Sequence, residues 1–157
     1  MVNLVLRKAT LEDLQAVMTF NYRLFKFEIE KGLDNYIEDW SLKEKGKQYF
    51  QEQIKNQFVV LAEIEGKAVG YLSGSIYQDE TYSYYEGKTA ELNDMFIEQE
   101  FRKYGIGSKL IASFENWCKQ NDAKRILVAA TIGNDNAISF YKKNGFGQLN
   151  IILRKEI

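Results

Sequence analysis

Histidine and proline are absent from the 157 residues, and cysteine occurs once, at Cys118. Without histidine there is no imidazole acid–base pair, no Ser-His-Asp triad and no His-ligated metal. A single thiol excludes an intrachain disulfide and a thiolate metal cluster, so no metal is expected. Proton transfer must then rest on a carboxylate, a tyrosine, a lysine, a terminus or water. Sharp turns must rely on Gly, Asn and Asp. No apolar run approaches the roughly 20 residues that cross a bilayer, and the apolar stretch in residues 1–7 is too short for a secretory signal. A cytoplasmic protein with no membrane partner is expected. Positive charge is not in surplus either: 21 Lys and Arg face 22 Asp and Glu, a net charge of −1. Nucleic-acid partners are therefore not expected.

What is present is globular. Hydrophobic residues make up 45%, charged residues 27% and aromatic residues 14%, a balance that suits one domain over residues 1–157. Residues 2–8 alternate and predict a first strand. Thr10 with Asp13 reads as a capping box that starts a helix near Leu11, and Leu14, Val17, Met18, Leu24 and Phe25 form its apolar stripe to about Glu30. Ser41 is expected to cap a second helix through about Asn56. Residues 58–63 and 67–76 flank Glu65-Gly66 as a hairpin, and 77–87 read as a loop or fraying hairpin. A strand at 89–97, a strongly amphipathic helix at 105–120 and a strand at 125–130, apolar enough for burial on both faces, follow. A short helix at 135–143 ends at Asn144-Gly145, and one or two closing strands are expected from Phe146 to near Lys155. The unit 89–130 forms a right-handed parallel crossover. The expected fold is α+β in three α/β/α layers, a mixed and mostly antiparallel sheet with helices on both faces.

The chemistry concentrates between the strand at 89–97 and the helix at 105–120, in Arg102-Lys103-Tyr104-Gly105-Ile106-Gly107-Ser108. Backbone N–H groups at a helix start lack helical partners and sit at the positive end of the dipole, which makes an anion site. Gly105 and Gly107 would let a phosphate approach the backbone, with Arg102 and Lys103 adding charge at the mouth. A dinucleotide fingerprint would need a third glycine where Leu110 stands, and a Walker loop would need Lys-Ser/Thr where Ser108-Lys109 stands.

R-x-x-G-x-G opening an amphipathic helix resembles the acetyl-CoA loop of the GNAT superfamily of N-acetyltransferases. Residues 134–146, from Asn134 through Ala137, Phe140 and Tyr141 to Gly145-Phe146, resemble its second motif, N-x-x-A-x-x-F-Y-x-x-x-G-F. Residues 7–13 resemble the usual opening of the family, so the likeness spans nearly the whole chain. It implies acetyl-CoA as cosubstrate and a GNAT-like sheet whose parallel strand pair splays apart. The loop at 102–108 would bind the CoA pyrophosphate, with Lys103 in reach of the 3′-phosphate. Backbone N–H groups of Met95, Phe96 and Ile97 would bind pantetheine and polarise the thioester carbonyl. Asn134 would contact the pantetheine arm, and Tyr141 would protonate the departing thiolate, as suits a phenol with a pKa near 10. Glu91 stands where histone-acetylating relatives carry a catalytic Glu and is the candidate base, with ordered water as the alternative. Asp94 is expected on the opposite face of the strand by period two. The family often has Gly where Lys103 stands, and Pro near Gln99.

Glu28, Glu30, Asp34, Glu38 and Asp39 crowd one helix junction with Tyr36 and Trp40, and residues 77–86 are acidic and tyrosine-rich. Acids beside aromatic faces suit a cationic amine: a polyamine, an amino sugar or a peptide amine. The expected activity is acetyl transfer to a primary amine by direct attack, because Cys118 lies on the apolar stripe of a helix. The alternative is a catalytically idle acyl-CoA-binding regulator on the same fold, and a nucleotide-binding protein is a more distant third. The alternating residues at 149–153 offer an edge strand for a homodimer.

Overall fold

The computed structural model describes residues 3–77 and 86–157. Most of the tyrosine-rich segment offered above as an acceptor wall lies outside the described residues. Within them the chain runs β1 (Leu4–Lys8), α1 (Leu14–Glu30), α2 (Glu44–Asn56), β2 (Phe58–Ile64), β3 (Lys67–Tyr77), β4 (Lys88–Ile97), α3 (Ile106–Gln120), β5 (Ala123–Val128) and α4 (Asp135–Lys143). The strands form one sheet in chain order, antiparallel except for the parallel pair β4–β5. On one face α1 and α2 pack Val17 and Phe50 over Leu61 and Tyr71. On the other, α3 packs Leu110 and Phe114 over Leu72 and Leu92. No helix among the described residues is long and apolar enough to cross a membrane.

Local chemistry explains the joints. Thr10 N–H donates to Asp13 Oδ2 at 2.8 Å, the expected cap, but Leu11–Asp13 is a 3₁₀ turn and α1 proper begins at Leu14. Arg7 pairs with Asp13 at 2.8 Å and with Glu63 at 2.7 Å, tying the helix start to the sheet. The hairpin turn holds Glu65 at φ 51 and Gly66 at φ 77, both left-handed, as a two-residue turn between twisted strands requires.

Three expectations need correction. Ser41 does not cap α2. It is buried in a 3₁₀ turn, its Oγ donates to Met18 O at 2.9 Å, and α2 starts at Glu44. A Cβ at Gly46 would lie 2.4 Å from Trp40 O, so only glycine lets α2 fold back onto that turn. The last strand, at Ala123–Val128, lies earlier than 125–130 and is half-buried. As the edge of the described sheet, β5 has one side without a neighbouring strand, which leaves it half-buried. Finally, residues 146–157 form no strand. Their alternation is compatible with one, but a ladder needs a neighbouring edge. A groove bounded by β5, the end of α3 and Phe146-Gly147 lies along the edge of β5 instead. The tail is tied by Arg154 to Asp34 at 3.1 Å.

Candidate active site

The β4–β5 ladder ends at Leu92 opposite Val128, whereas β4 continues to Ile97 paired only with β3. The two strands therefore part, and Met95, Phe96 and Ile97 border the opening. Alternate backbone N–H groups of β4 point into it rather than toward β3. The loop before α3 lies beyond the end of β4. Lys103, Tyr104, Gly105 and Ser108 are exposed there, while Ile106 and Gly107 are buried. The first N–H groups of α3 have no helical acceptor, so the exposed loop fits an anionic group such as a pyrophosphate.

The two glycines serve different ends. Gly105 adopts φ 74 and a Cβ there would meet nothing within 4 Å, so its constraint is conformational and its surface stays open. A Cβ at Gly107 would fall 2.8 Å from the Phe140 ring, so this glycine admits α4 against α3 rather than a phosphate. Arg102 also departs from its expected place at the mouth. Its Nε donates to Ile97 O at 2.8 Å, and its guanidinium lies over Phe27 at 5.1 Å and Phe96 at 5.5 Å. Burial holds its pKa below the usual arginine value. Arg102 thus fastens α1 to the end of β4, and Lys103 is left as the exposed cation of the loop.

Asn134 caps α4, its Oδ1 accepting from Ala137 N–H at 3.2 Å. Tyr141, on α4, packs between the Phe140 and Phe146 rings at 5.5 and 5.6 Å. Burial, with the charges of Asp94 and Glu28, pushes its phenol up to about 12. The hydroxyl therefore stays protonated and can donate.

On the α1–α2 face lies a cavity of about 310 Å³, lined from β4 by Glu91, Asn93 and Asp94 and from the helices by Asn21 and Tyr49, with Trp40 beside them. Asp94 was expected on the other face, and the register explains the difference. Ser73 pairs with Asp94 but Gly74 pairs with Leu92, so Asn93 is an extra residue, a β-bulge that resets the alternation. Glu91, Asn93 and Asp94 consequently share one wall.

Hydrogen bonds fix that wall. Asn93 Nδ2 donates to Tyr49 Oη at 2.9 Å and to Ser75 Oγ at 3.1 Å, and Ser75 Oγ donates to Gln53 Oε1 at 2.9 Å. Ser73 Oγ donates to Asp94 Oδ2 at 3.1 Å. Burial, with repulsion from Glu28 and Glu91, lifts the Asp94 carboxyl to about 6 even against the Ser73 hydrogen bond. Burial raises Glu91 and Glu28 as well. Asn21 Nδ2 donates to Tyr71 Oη at 3.2 Å, while Asn21 Oδ1 and Asn93 Oδ1 are buried without a partner.

The acids of the helix junction divide. Asp34 is paired with Arg154, Asp39 with Lys43 at 2.9 Å, and Glu30 lies 3.9 Å from Lys26. Glu38 accepts from Tyr22 Oη at 3.2 Å. Glu28 instead accepts from Tyr36 and repels Asp94. Phe25 stacks on Tyr36 at 4.4 Å, and Trp40 meets Tyr49 edge-on at 5.5 Å. Sequence reasoning missed Asn21, Tyr49, Asn93 and Asp94. Two consecutive polar residues, Asn93-Asp94, after the alternation of Thr89 to Asn93 were the available signal for the last two.

Comparison with known proteins gives a consistent result. A sequence profile described as the acetyltransferase (GNAT) family matches residues 21–146. An uncharacterised N-acetyltransferase of Methanocaldococcus jannaschii is 25% identical over 150 residues, covering 94% of this chain but only 62% of that protein. One of Archaeoglobus fulgidus is 29% identical over 137 residues, covering 85% of this chain and 84% of that one. The aminoglycoside N-acetyltransferase AAC(6')-Iy in complex with CoA superposes with a TM-score of 0.79 at 16% identity, over 100% of this chain and 96% of that one. An aminoglycoside acetyltransferase from an uncultured soil metagenomic sample, in complex with sisomicin, does so with a TM-score of 0.74 at 20% identity, over 98% and 95%. These likenesses establish the fold.

Proposed function

The chain belongs to the acetyltransferase (GNAT) family, and from that premise we propose that it moves an acetyl group from acetyl-CoA to a cationic primary amine by direct attack. The observation that carries this reading is the parting of β4 from β5 after Leu92 and Val128, with the open loop before α3 beyond the end of β4 and the carboxylate cavity on the other face of the sheet. The aminoglycoside acetyltransferases of the same fold add support for a small amine acceptor.

Acetyl-CoA supplies an activated thioester. Backbone N–H groups from Gly105 to Ser108 hold its pyrophosphate, with Tyr104 and Lys103 at the rim, and Arg102 keeps the loop fastened to β4. Asn134, whose Oδ1 caps α4, has its Nδ2 free for the pantetheine arm. N–H groups of Met95 and Ile97, the alternate ones, bind that arm and stabilise the charge that develops on the carbonyl oxygen. An ammonium acceptor has no lone pair, so it must first lose a proton, which Glu91 accepts directly or through water. A second proton leaves as the amide forms and, through water, restores the Tyr141 hydroxyl after that group has given its own. Tyr141, protonated up to about pH 12, gives its proton to the departing thiolate. Cys118 takes no part, because burial pushes its thiol up to about 12.

The test is acetyl-CoA-dependent thiol release across polyamines, amino sugars, amino acids and short peptides. Release with one amine class is expected, and Tyr141→Phe should lower kcat by roughly 10²–10⁴-fold while leaving acetyl-CoA affinity unchanged. Tight acetyl-CoA binding with no release from any amine would favour an idle regulator. That reading gives Tyr141 and Glu91 no task.

A further inference from the structure

We propose that two copies of this chain associate by exchanging their tails, residues 147–157, each tail entering as a strand along the free edge of the other copy's β5. The surface lies away from the acceptor cavity, so the inference stands whichever amine is acetylated.

The edge is open, and its own charges point elsewhere. Ala123, Lys124, Arg125 and Ile126 form one side of a groove of about 470 Å³ whose other side includes Cys118 of α3 and Phe146-Gly147. Arg125 turns back toward the start of β4, donating to the carbonyls of Glu86 and Gly87 and to Thr89 Oγ1. The Lys124 stem also lies on that side, since a Cβ at Gly87 would fall 2.6 Å from its Cγ. The two cations of β5 that would guard an edge strand are thus held against its inner neighbour, and Ile126, Leu127 and Val128 make up the rest of it.

The tail has the matching form. It leaves the groove at Gly147, beside the start of β5, and Arg154 is tied to Asp34 at 3.1 Å. Asp34 stands near the end of β5, because Leu33 lies against Gly133 and Tyr36 hydrogen-bonds Thr131, both just past that strand. The tail therefore runs the length of β5 in the same direction, held at both ends. Extended at about 3.3 Å per residue, its alternating stretch matches the length of β5. Among the described residues no backbone hydrogen bond joins 147–157 to β5. Leu149, Ile151, Ile152 and Leu153 are 61–89% exposed, an apolar patch that marks an interaction surface.

Symmetry selects the occupant. A strand that fits this edge is extended, apolar and about as long as β5, and the tail of a second copy is all three. A two-fold axis between the tails gives the order β5, partner's tail, own tail, partner's β5, in which every neighbouring pair is antiparallel, the more stable pairing. The chain's own tail offers β5 only a parallel pairing and would itself remain an uncovered edge. The exchange instead makes one continuous sheet through both copies. Its area is adequate: the four aliphatic side chains bury on the order of 100 Å² each, about half of the roughly 800 Å² per partner of a stable interface. The covered groove and the strand backbones supply the remainder.

Sedimentation equilibrium on the wild-type chain over a range of concentrations provides the test. A dimer is expected at micromolar concentration, hardly weakened by salt because the contact is apolar. Ile151→Asp combined with Leu153→Asp should give a monomer, with thermal melting and acetyl-CoA affinity reporting that it folds. Single cysteine substitutions at Leu149, Asn150, Ile151, Ile152 and Leu153, on a Cys118→Ala background, locate the contact. With antiparallel tails about a two-fold axis, the residue nearest the axis meets its own counterpart. The yield of the disulfide between copies should therefore peak at one of these positions and fall on both sides. If the double variant does not fold, the cross-linking profile of the folded single variants decides. A wild-type monomer at every concentration would overturn the exchange, as would a dimer that survives the double substitution or cross-links at none of the five positions.

Discussion

Asp94 carries a cost that the fold retains. Its carboxyl, lifted to about 6, faces Glu28 from α1, Tyr49 from α2, Tyr71 and Ser73 from β3, Glu91 from β4 and Tyr141 from α4. None of these groups is a cation. A carboxyl whose folded pKa exceeds its unfolded value binds more protons when folded, so stability falls as pH rises from about 4 through about 6 and then levels off. Glu28 and Glu91, also raised, act with the same sign. Asp94→Asn is therefore expected to be more stable than wild type at pH 8, by roughly 1–2 kcal/mol, with the gain vanishing near pH 4. Thermal melts across that range check it, and a loss of stability at pH 8 would contradict the assignment. Asp13 has the opposite sign. Arg7 holds it at about 2, so its contribution is complete above about pH 4 and is lost as pH falls toward 2.

At the scale of elements, two glycines two residues apart should fail differently. Gly105→Ala strains a left-handed backbone in open space and should cost about 1 kcal/mol with little effect on kcat. Gly107→Ala pushes on Phe140, beside Tyr141, and should cost roughly 1–3 kcal/mol together with a lower kcat. Melting and steady-state rates on the two variants separate the cases, and equal effects would reject the division of roles. Elements set by local pattern were legible in advance: the Glu65-Gly66 hairpin, the stripe of α3 and the capping box at Thr10. The loop at 102–108 and Tyr141 were legible as a motif. What escaped depends on contacts distant in sequence. Ser41 looks like a cap until Met18 O claims its hydroxyl. Arg102 looks like a phosphate ligand until Phe27 and Phe96 close around it. The tail at 149–153 alternates like a strand, yet alternation alone does not bring an edge to pair with. Asp94 was assigned to the wrong face because a bulge is a property of two strands, and only one was being read.

Across the whole molecule the sheet separates two cores. Ile54 lies in the cluster under α1 and α2, and Ile111 in the cluster under α3. Ile54→Val and Ile111→Val should each cost about 0.5–1.5 kcal/mol. Their sum should hold in the double variant within about 0.5 kcal/mol, in a single denaturant transition. Two transitions would show that the faces melt separately. The strands β2, β3 and β4 each contribute to both cores, and in β4 the extra residue at Asn93 inverts odd and even along it. Glu91, Asn93, Asp94 and Phe96 turn to one side, and Ala90, Leu92, Met95 and Ile97 to the other. Replacing one residue here alters one contact. Deleting Asn93 would restore plain alternation and leave every residue from Asp94 to Ile97 on the side it now occupies, removing only the amide that bonds Tyr49 and Ser75. During divergence, a strand can therefore gain or lose one residue at this point without turning its neighbours over, and the residues of the cavity and of the α3 core keep their places through the change.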